Sequence, residues 1–174
     1  GLKRVYFLAC GTSFHASLFG RYLIETLSGV PSTSELASEF VIRDPVVGPG
    51  DLIVAVSQSG ETIDTLAAVK VAKERGAKVL ALTNVLDSAI PRASHGSLYT
   101  HAGPEIGVAS TKCFTAQLAA MTLLAVYLGR RRGTLSVERA REVLQGMLEV
   151  PPRMREALAQ DDTLRDLARK YQHA

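Results

Sequence analysis

The chain has 174 residues, enough for one full hydrophobic core, and its 47% apolar and 21% charged residues are the proportions of a globular domain. The formal net charge is only +3, with Lys and Arg interspersed among Asp and Glu, so no nucleic-acid footprint is present. The one basic run, Arg130-Arg131-Arg132, follows an apolar helix and reads as a charge cluster at a helix C-terminus rather than a polyanion patch.

Val5 to Ala9 is continuously apolar rather than alternating, as in strands buried on both faces of a parallel sheet. Cys10-Gly11-Thr12-Ser13 breaks the run. Apolar residues at helical spacing then predict a helix from Phe14 to Leu27, with Gly29 as a left-handed cap. Pro31 precedes a short strand at Ser32 to Leu36. Asp51 to Val56 is the clearest strand and stops at Ser57-Gln58-Ser59-Gly60. A helix follows from about Thr62 to Arg75, ending at Gly76. Lys78 to Leu82 is the next strand, followed by a short helix near Ser88 to Ala93 and a strand near Ser97 to Thr100. A long loop from His101 leads into a helix from about Ser110 to Gly129. The remainder is helical: Val137 to Leu148, then, beyond the break expected at Pro151-Pro152, Pro152 to Leu158, and finally Thr163 to Tyr171.

Strands alternating with helices predict an α/β three-layer sandwich around a mostly parallel, about five-stranded sheet of flavodoxin-like type, with right-handed crossovers. We expect a domain over 1–133 and C-terminal helices over 134–174. Val5 to Ala9 reads as a central strand with almost nothing before it, so the expectation is a domain taken from a longer chain. Cys10 and Cys113 form no disulfide framework, which fits a reducing, cytoplasmic setting. No signal peptide is visible, and Leu118 to Leu128 is shorter than the ~20 residues that span a bilayer. No membrane partner is therefore expected.

Ligands of such sheets bind beyond the carboxyl ends of the strands, and small polar residues stand there. In Ser57-Gln58-Ser59-Gly60-Glu61-Thr62 the hydroxyls, the amide and the N–H groups of a helix start can converge on a phosphate, and Gly60 admits close backbone approach. The absence of a lysine in this turn suits a monophosphate, and the Walker pattern is missing. The bland alternative is a turn in which Ser59 or Thr62 caps a helix. Cys10-Gly11-Thr12-Ser13 supplies a second small, hydroxyl-bearing turn opening onto the same crevice. Val108-Ala109-Ser110-Thr111 supplies a third, in which Ser110 or Thr111 could equally serve as an N-cap. Glu61 and Glu105 are candidate general bases if buried; against this, Glu61 opens a helix, where a carboxylate already favours the dipole. Lys112 could neutralise a phosphate or serve structurally. Cys10 lacks a His-Asp constellation and is not expected to act as a nucleophile. His15 reads as a packed or surface histidine. His95, His101 and His173 lack metal-ligand spacing, so neither a metal nor a cofactor is expected.

These segments, together with Glu105-Ile106-Gly107-Val108-Ala109-Ser110-Thr111-Lys112 and Ala37-Ser38-Glu39-Phe40, resemble the signatures of the sugar isomerase (SIS) fold over about Val5 to Gly129. More narrowly they resemble the first SIS lobe of the glutamine–fructose-6-phosphate aminotransferases. The resemblance implies that Ser57, Gln58, Ser59 and Thr62 take a phosphate, with Ser13 close by. Cys10, Gly11, Thr12, Val108, Ala109 and Ser110 would line the sugar part. It further implies fructose 6-phosphate and glucosamine 6-phosphate as ligands, and a glutaminase domain and a second SIS lobe elsewhere in the full-length chain. The catalytic glutamate, lysine and histidine would lie beyond this lobe. SIS lobes associate, and the apolar helix around Phe114 to Leu128 carries surplus hydrophobic length, so a homodimer is expected, with an intra-chain contact to a second lobe as the alternative use of the same surface. The alternatives are a tandem-SIS deaminase or isomerase lacking a glutaminase, and a non-enzymatic SIS sensor.

Overall fold

The computed structural model describes residues 1–172; His173 lies outside the described residues. Gly1–Ser136 forms one compact unit and the helices from Val137 onward form a second. The first unit runs β1 (Arg4–Ala9), α1 (Gly11–Ser28), β2 (Ser32–Leu36), α2 (Ala37–Ile42), β3 (Asp51–Ser57), α3 (Ile63–Glu74), β4 (Lys78–Thr83), α4 (Ala89–Ala93), β5 (Gly96–Tyr99) and α5 (Lys112–Arg132). The five strands form one sheet in the order β2-β1-β3-β4-β5, and every pair is parallel.

The two-residue period of a strand divides the core into two layers. Tyr6, Leu8, Ile53, Ala55, Val79 and Ala81 pack with Phe40 of α2, Ala68 and Val69 of α3, and Ile90 of α4. The intervening Val5, Phe7, Val54 and Val56 are fully buried toward the other face, where α1 and α5 pack on each other. The apolar runs of β1 and β3 are continuous because both of their faces are covered.

At the amino end of the sheet, Asp51 is buried and accepts from Arg4 Nε (3.2 Å), Arg4 Nη2 (3.0 Å) and Gly48 N (3.0 Å), fixing the register of β1 and β3. The α5 helix spans 21 residues, longer than the apolar stretch legible in sequence and long and apolar enough by length and composition to cross a membrane. It is nevertheless packed as a core helix, with Cys113, Gln117, Met121, Leu124 and Ala125 buried.

Other differences from the sequence reading are local. The first helix begins at Gly11 rather than Phe14, so the Cys10–Ser13 turn is the start of the helix itself. Ala37–Ile42 forms a helix that periodicity did not suggest, burying Phe40. In the second unit α6 (Val137–Leu158) continues through Pro151 and Pro152, where a break was expected; the stretch is exposed, so water can serve the carbonyls that lose a donor. α7 (Asp161–Tyr171) follows.

Candidate functional site

The chain goes from β1 to β2 on one side and returns to β3 on the other. The crevice between the carboxyl ends of β1 and β3 is therefore the topological switch point of the sheet. A cavity of about 240 Å³ opens there. Its wall contains Cys10, Gly11, Thr12 and Ser13 after β1, Ser57, Gln58, Ser59 and Thr62 after β3, and Val108 and Ser110 from the loop before α5. Three turns far apart in sequence thus meet at one place.

The turn after β3 is internally braced. Ser57 Oγ accepts from Gly60 N (3.0 Å) and shares a hydrogen bond with Thr62 Oγ1 (2.9 Å). Those two hydroxyls hold two hydrogens and use one between them, which leaves one to offer a ligand. Ser59 Oγ accepts from Glu61 N (3.2 Å), so its own hydrogen is also free. The Gln58 carbonyl accepts from Asn84 N (3.1 Å) and the Gly60 carbonyl from Ile90 N (2.9 Å), which ties the turn to its neighbours. Gly60 has φ 69°, and a Cβ there would lie 1.9 Å from Ser88 Oγ, so both conformation and space require glycine. Gly11, with φ 55°, bends the chain from β1 directly into α1.

The side-chain caps of the alternative reading are not made at Thr62 or Thr111. Thr62 stands at the N-cap of α3 and Thr111 at that of α5, yet neither side chain caps its helix, nor does Cys10 cap α1. The Thr62 hydroxyl faces Ser57 instead. At α5 a carboxylate from earlier in the loop does the capping: Glu105 Oε2 accepts from Ser110 Oγ (3.2 Å), Thr111 N (3.1 Å) and Cys113 N (3.2 Å). The hydrogen bond from Cys113 N, with those from Thr111 N and Ser110 Oγ, holds the Glu105 carboxyl at about 2, below its ordinary range. Burial and the nearby Glu105 carboxylate push the Cys113 thiol up. Glu61 Oε1 accepts from Ala89 N (2.8 Å) at the start of α4. Both glutamates thus hold backbone rather than stand ready as bases.

Ala109 is exposed at the bend over Val108-Ala109 and is not among the residues of the wall. Val56 and Gly107 do line the cavity, although sequence reasoning did not single them out. Val56 was legible as the last apolar residue before the turn, and Gly107 as part of the loop motif. His15 is exposed, its ring edge-on to Phe14. Lys112 is exposed at the first turn of α5. Among the described residues no cluster of His, Cys, Asp and Glu could hold a metal ion.

Residues 2–127 match the SIS domain family. This chain belongs to that family. Among curated SIS proteins it is 46% identical over 172 residues to the glutamine–fructose-6-phosphate aminotransferase (isomerizing) of Bacteroides thetaiotaomicron, covering 99% of this chain and 28% of that protein. It is 48% identical over 173 residues to a same-named protein of Thermus thermophilus, covering 99% and 29%. The SIS chain therefore spans less than a third of the length of these relatives. Among solved structures it superposes on the C-terminal domain of glucosamine-fructose-6-phosphate aminotransferase from Francisella tularensis with a TM-score of 0.92 and 34% identity, over 96% of this chain and 48% of that one.

Proposed function

We propose that this SIS domain binds the phosphoryl group of fructose 6-phosphate and glucosamine 6-phosphate as one lobe of a glutamine-dependent aminotransferase-isomerase that makes hexosamine phosphate. Ser57, Gln58, Ser59, Thr62 and Ser13 hold the phosphate, and Cys10, Gly11, Thr12, Val108 and Ser110 face the sugar. The observation that carries this reading is the meeting of three small-residue turns, each at a helix start, in one cavity. The relatives at 46% and 48% identity supply the substrate class through their names.

The phosphate lies at the end of the sugar remote from the reacting C1 and C2. Its binding free energy serves to position those carbons against groups outside this lobe. The SIS lobe is a holder, and the glutaminase domain, the proton-transferring glutamate and a second SIS lobe belong to the rest of a full-length chain. We further propose a cytoplasmic setting, in keeping with the free thiols of Cys10 and Cys113, and a homodimer.

Calorimetric titration with fructose 6-phosphate, glucose 6-phosphate and free fructose tests the reading. Phosphorylated sugars should bind measurably and free fructose should not. Equal binding of fructose and fructose 6-phosphate would remove the phosphate anchor.

A further inference from the structure

The core helix α5 buries two uncharged polar side chains, Thr122, which bonds back to the Leu118 carbonyl of its own helix, and Gln117, which reaches across to another element. Gln117 is 2% exposed, among the largest buried side chains of the domain. Its Nε2 donates to Ser13 Oγ at 3.0 Å across the gap to the first turn of α1. Its Oε1 is buried and accepts no hydrogen bond among the described residues. An amide placed in a core with an orphaned carbonyl carries a desolvation penalty that an apolar residue of the same shape would not. The one interaction it makes is with a residue of the candidate site.

That interaction has a chemical consequence for Ser13. A serine hydroxyl holds one hydrogen and two lone pairs. With a lone pair occupied by the Gln117 amide, Ser13 Oγ is an acceptor toward the core, and its hydrogen is directed elsewhere. No hydrogen bond within the described residues uses that hydrogen; the Ser17 hydroxyl donates to the Ser13 carbonyl, not to its side chain. Ser13 is 6% exposed, and what exposure it has is to the cavity. In the observed orientation Oε1 and one Nε2 hydrogen go without a partner among the described residues; the reversed amide would leave two N–H donors unpaired and would turn the Ser13 hydrogen inward onto Oε1.

We propose that Gln117 is a positioning residue: it fixes Ser13 Oγ as a donor aimed into the cavity, so that Ser13 meets a phosphoryl oxygen with its hydrogen already oriented. The ligand does not have to turn the hydroxyl away from a competing acceptor, and the Gln117 amide polarises the O–H it supports. This rests on the phosphate-binding reading above.

The test uses Gln117→Met, close in volume, which removes both the donor to Ser13 and the orphaned carbonyl. Thermal stability should be unchanged or raised, while the affinity for fructose 6-phosphate falls about three- to tenfold, the scale of one weakened hydrogen bond to a charged group. Ser13→Ala should cost a similar factor, and adding Gln117→Met to it should cost little more, because the two act through one hydrogen bond. In the unaltered protein, the side-chain amide signal of Gln117 in a 15N NMR spectrum should shift on adding inorganic phosphate, a readout that needs no variant. If Ser13→Ala weakens fructose 6-phosphate but Gln117→Met leaves it alone, or if the amide signal stays still while phosphate binds, the positioning role is refuted and the phosphate site stands. If the unaltered protein does not prefer the phosphorylated sugar to fructose, the site reading falls and the role of Gln117 falls with it.

Discussion

Gly60→Ala probes the fold of the Ser57–Thr62 turn at the point where it has least freedom. An alanine would have to hold φ near 69°, which costs an L-residue about 1 kcal/mol or somewhat more. Its methyl would lie 1.9 Å from Ser88 Oγ and 2.8 Å from Ser88 Cβ. Rotating the serine clears the oxygen but not the Cβ, which is fixed to the start of α4, so the backbone must move. Overpacking of this kind costs about 1–3 kcal/mol. Moving Ser88 also endangers its 3.0 Å bond to the Val85 carbonyl, worth about 1 kcal/mol. The sum is about 3–5 kcal/mol, a large part of the ~5–15 kcal/mol that holds a domain together. Urea unfolding should show it as a lower midpoint at unchanged slope. The melting temperature should fall by about 10–20 °C. Because Gly60 N also donates to Ser57 Oγ, fructose 6-phosphate binding should weaken in whatever fraction stays folded. A loss below about 1 kcal/mol with binding intact would refute the claim that the turn is locked by this contact.

Ser59→Ala removes a hydroxyl whose one internal role is to accept from Glu61 N, so calorimetry should find affinity for fructose 6-phosphate lowered about tenfold or more with little change in stability. Ser57→Ala should differ by destabilising the domain as well, by about 1–3 kcal/mol in urea unfolding, since this buried hydroxyl holds Gly60 N and Thr62 Oγ1. The Glu105 carboxyl is lowered to about 2 from an ordinary value near 4.5. Its contribution is therefore fully present above pH 4.5 and lost as pH falls toward 2. Hydrogen-exchange protection of the loop before α5, taken relative to the intrinsic rate at each pH, should fall over that window in the wild type and be low at every pH in Glu105→Gln. Asp51→Asn breaks the buried bracket with Arg4 at the opposite end of the sheet; it should cost about 1–3 kcal/mol of stability while leaving fructose 6-phosphate affinity unchanged.

The central strands were legible because Val5 to Ala9 and Asp51 to Val56 are apolar without alternation, which only burial on both faces explains. The polar Ser-Thr-Ser-Glu-Leu of β2 was legible as a strand from Pro31 and its place in the repeat, and it pairs at the sheet edge. The six residues of α2 make fewer than two turns, too short for a helical period to show; burial of Phe40 decides them. Pro151-Pro152 misled because a helix exposed to water tolerates carbonyls without donors, which local propensity does not record. Residue types at the site were legible, but their bonds were not. Thr62 and Thr111 carry the chemistry of N-caps, and tertiary contacts gave both positions other arrangements. Glu105 caps α5 from six to eight residues upstream, beyond any local capping pattern. Gln117 belongs to an apolar helix in sequence and acquires meaning only when α5 lies against α1.

The electrostatics of the three helix starts also bear on how a sugar phosphate would lie. Helix N-termini carry partial positive charge that falls off within a turn, and α1, α3 and α5 all begin at the cavity. They are not equivalent. The ionised Glu105 carboxylate sits on Thr111 N and Cys113 N and offsets the positive end of α5. At α1 no side chain caps the helix and no acidic residue stands in its first turn, whereas α3, also without a side-chain cap, carries Asp64 in its first turn and has Glu61 just before Thr62. By charge, a dianion in this cavity would be drawn most toward the start of α1, where Ser13 stands, and away from Glu105. The uncharged end of the ligand is left to the wall formed by Val108 and Ser110. That asymmetry supports, from charge alone, the part of the proposed orientation that sets the phosphoryl group near Ser13 rather than near Glu105. It also predicts that neutralising Glu105 would loosen the discrimination between the two ends of the cavity, as well as the loop that forms one of them.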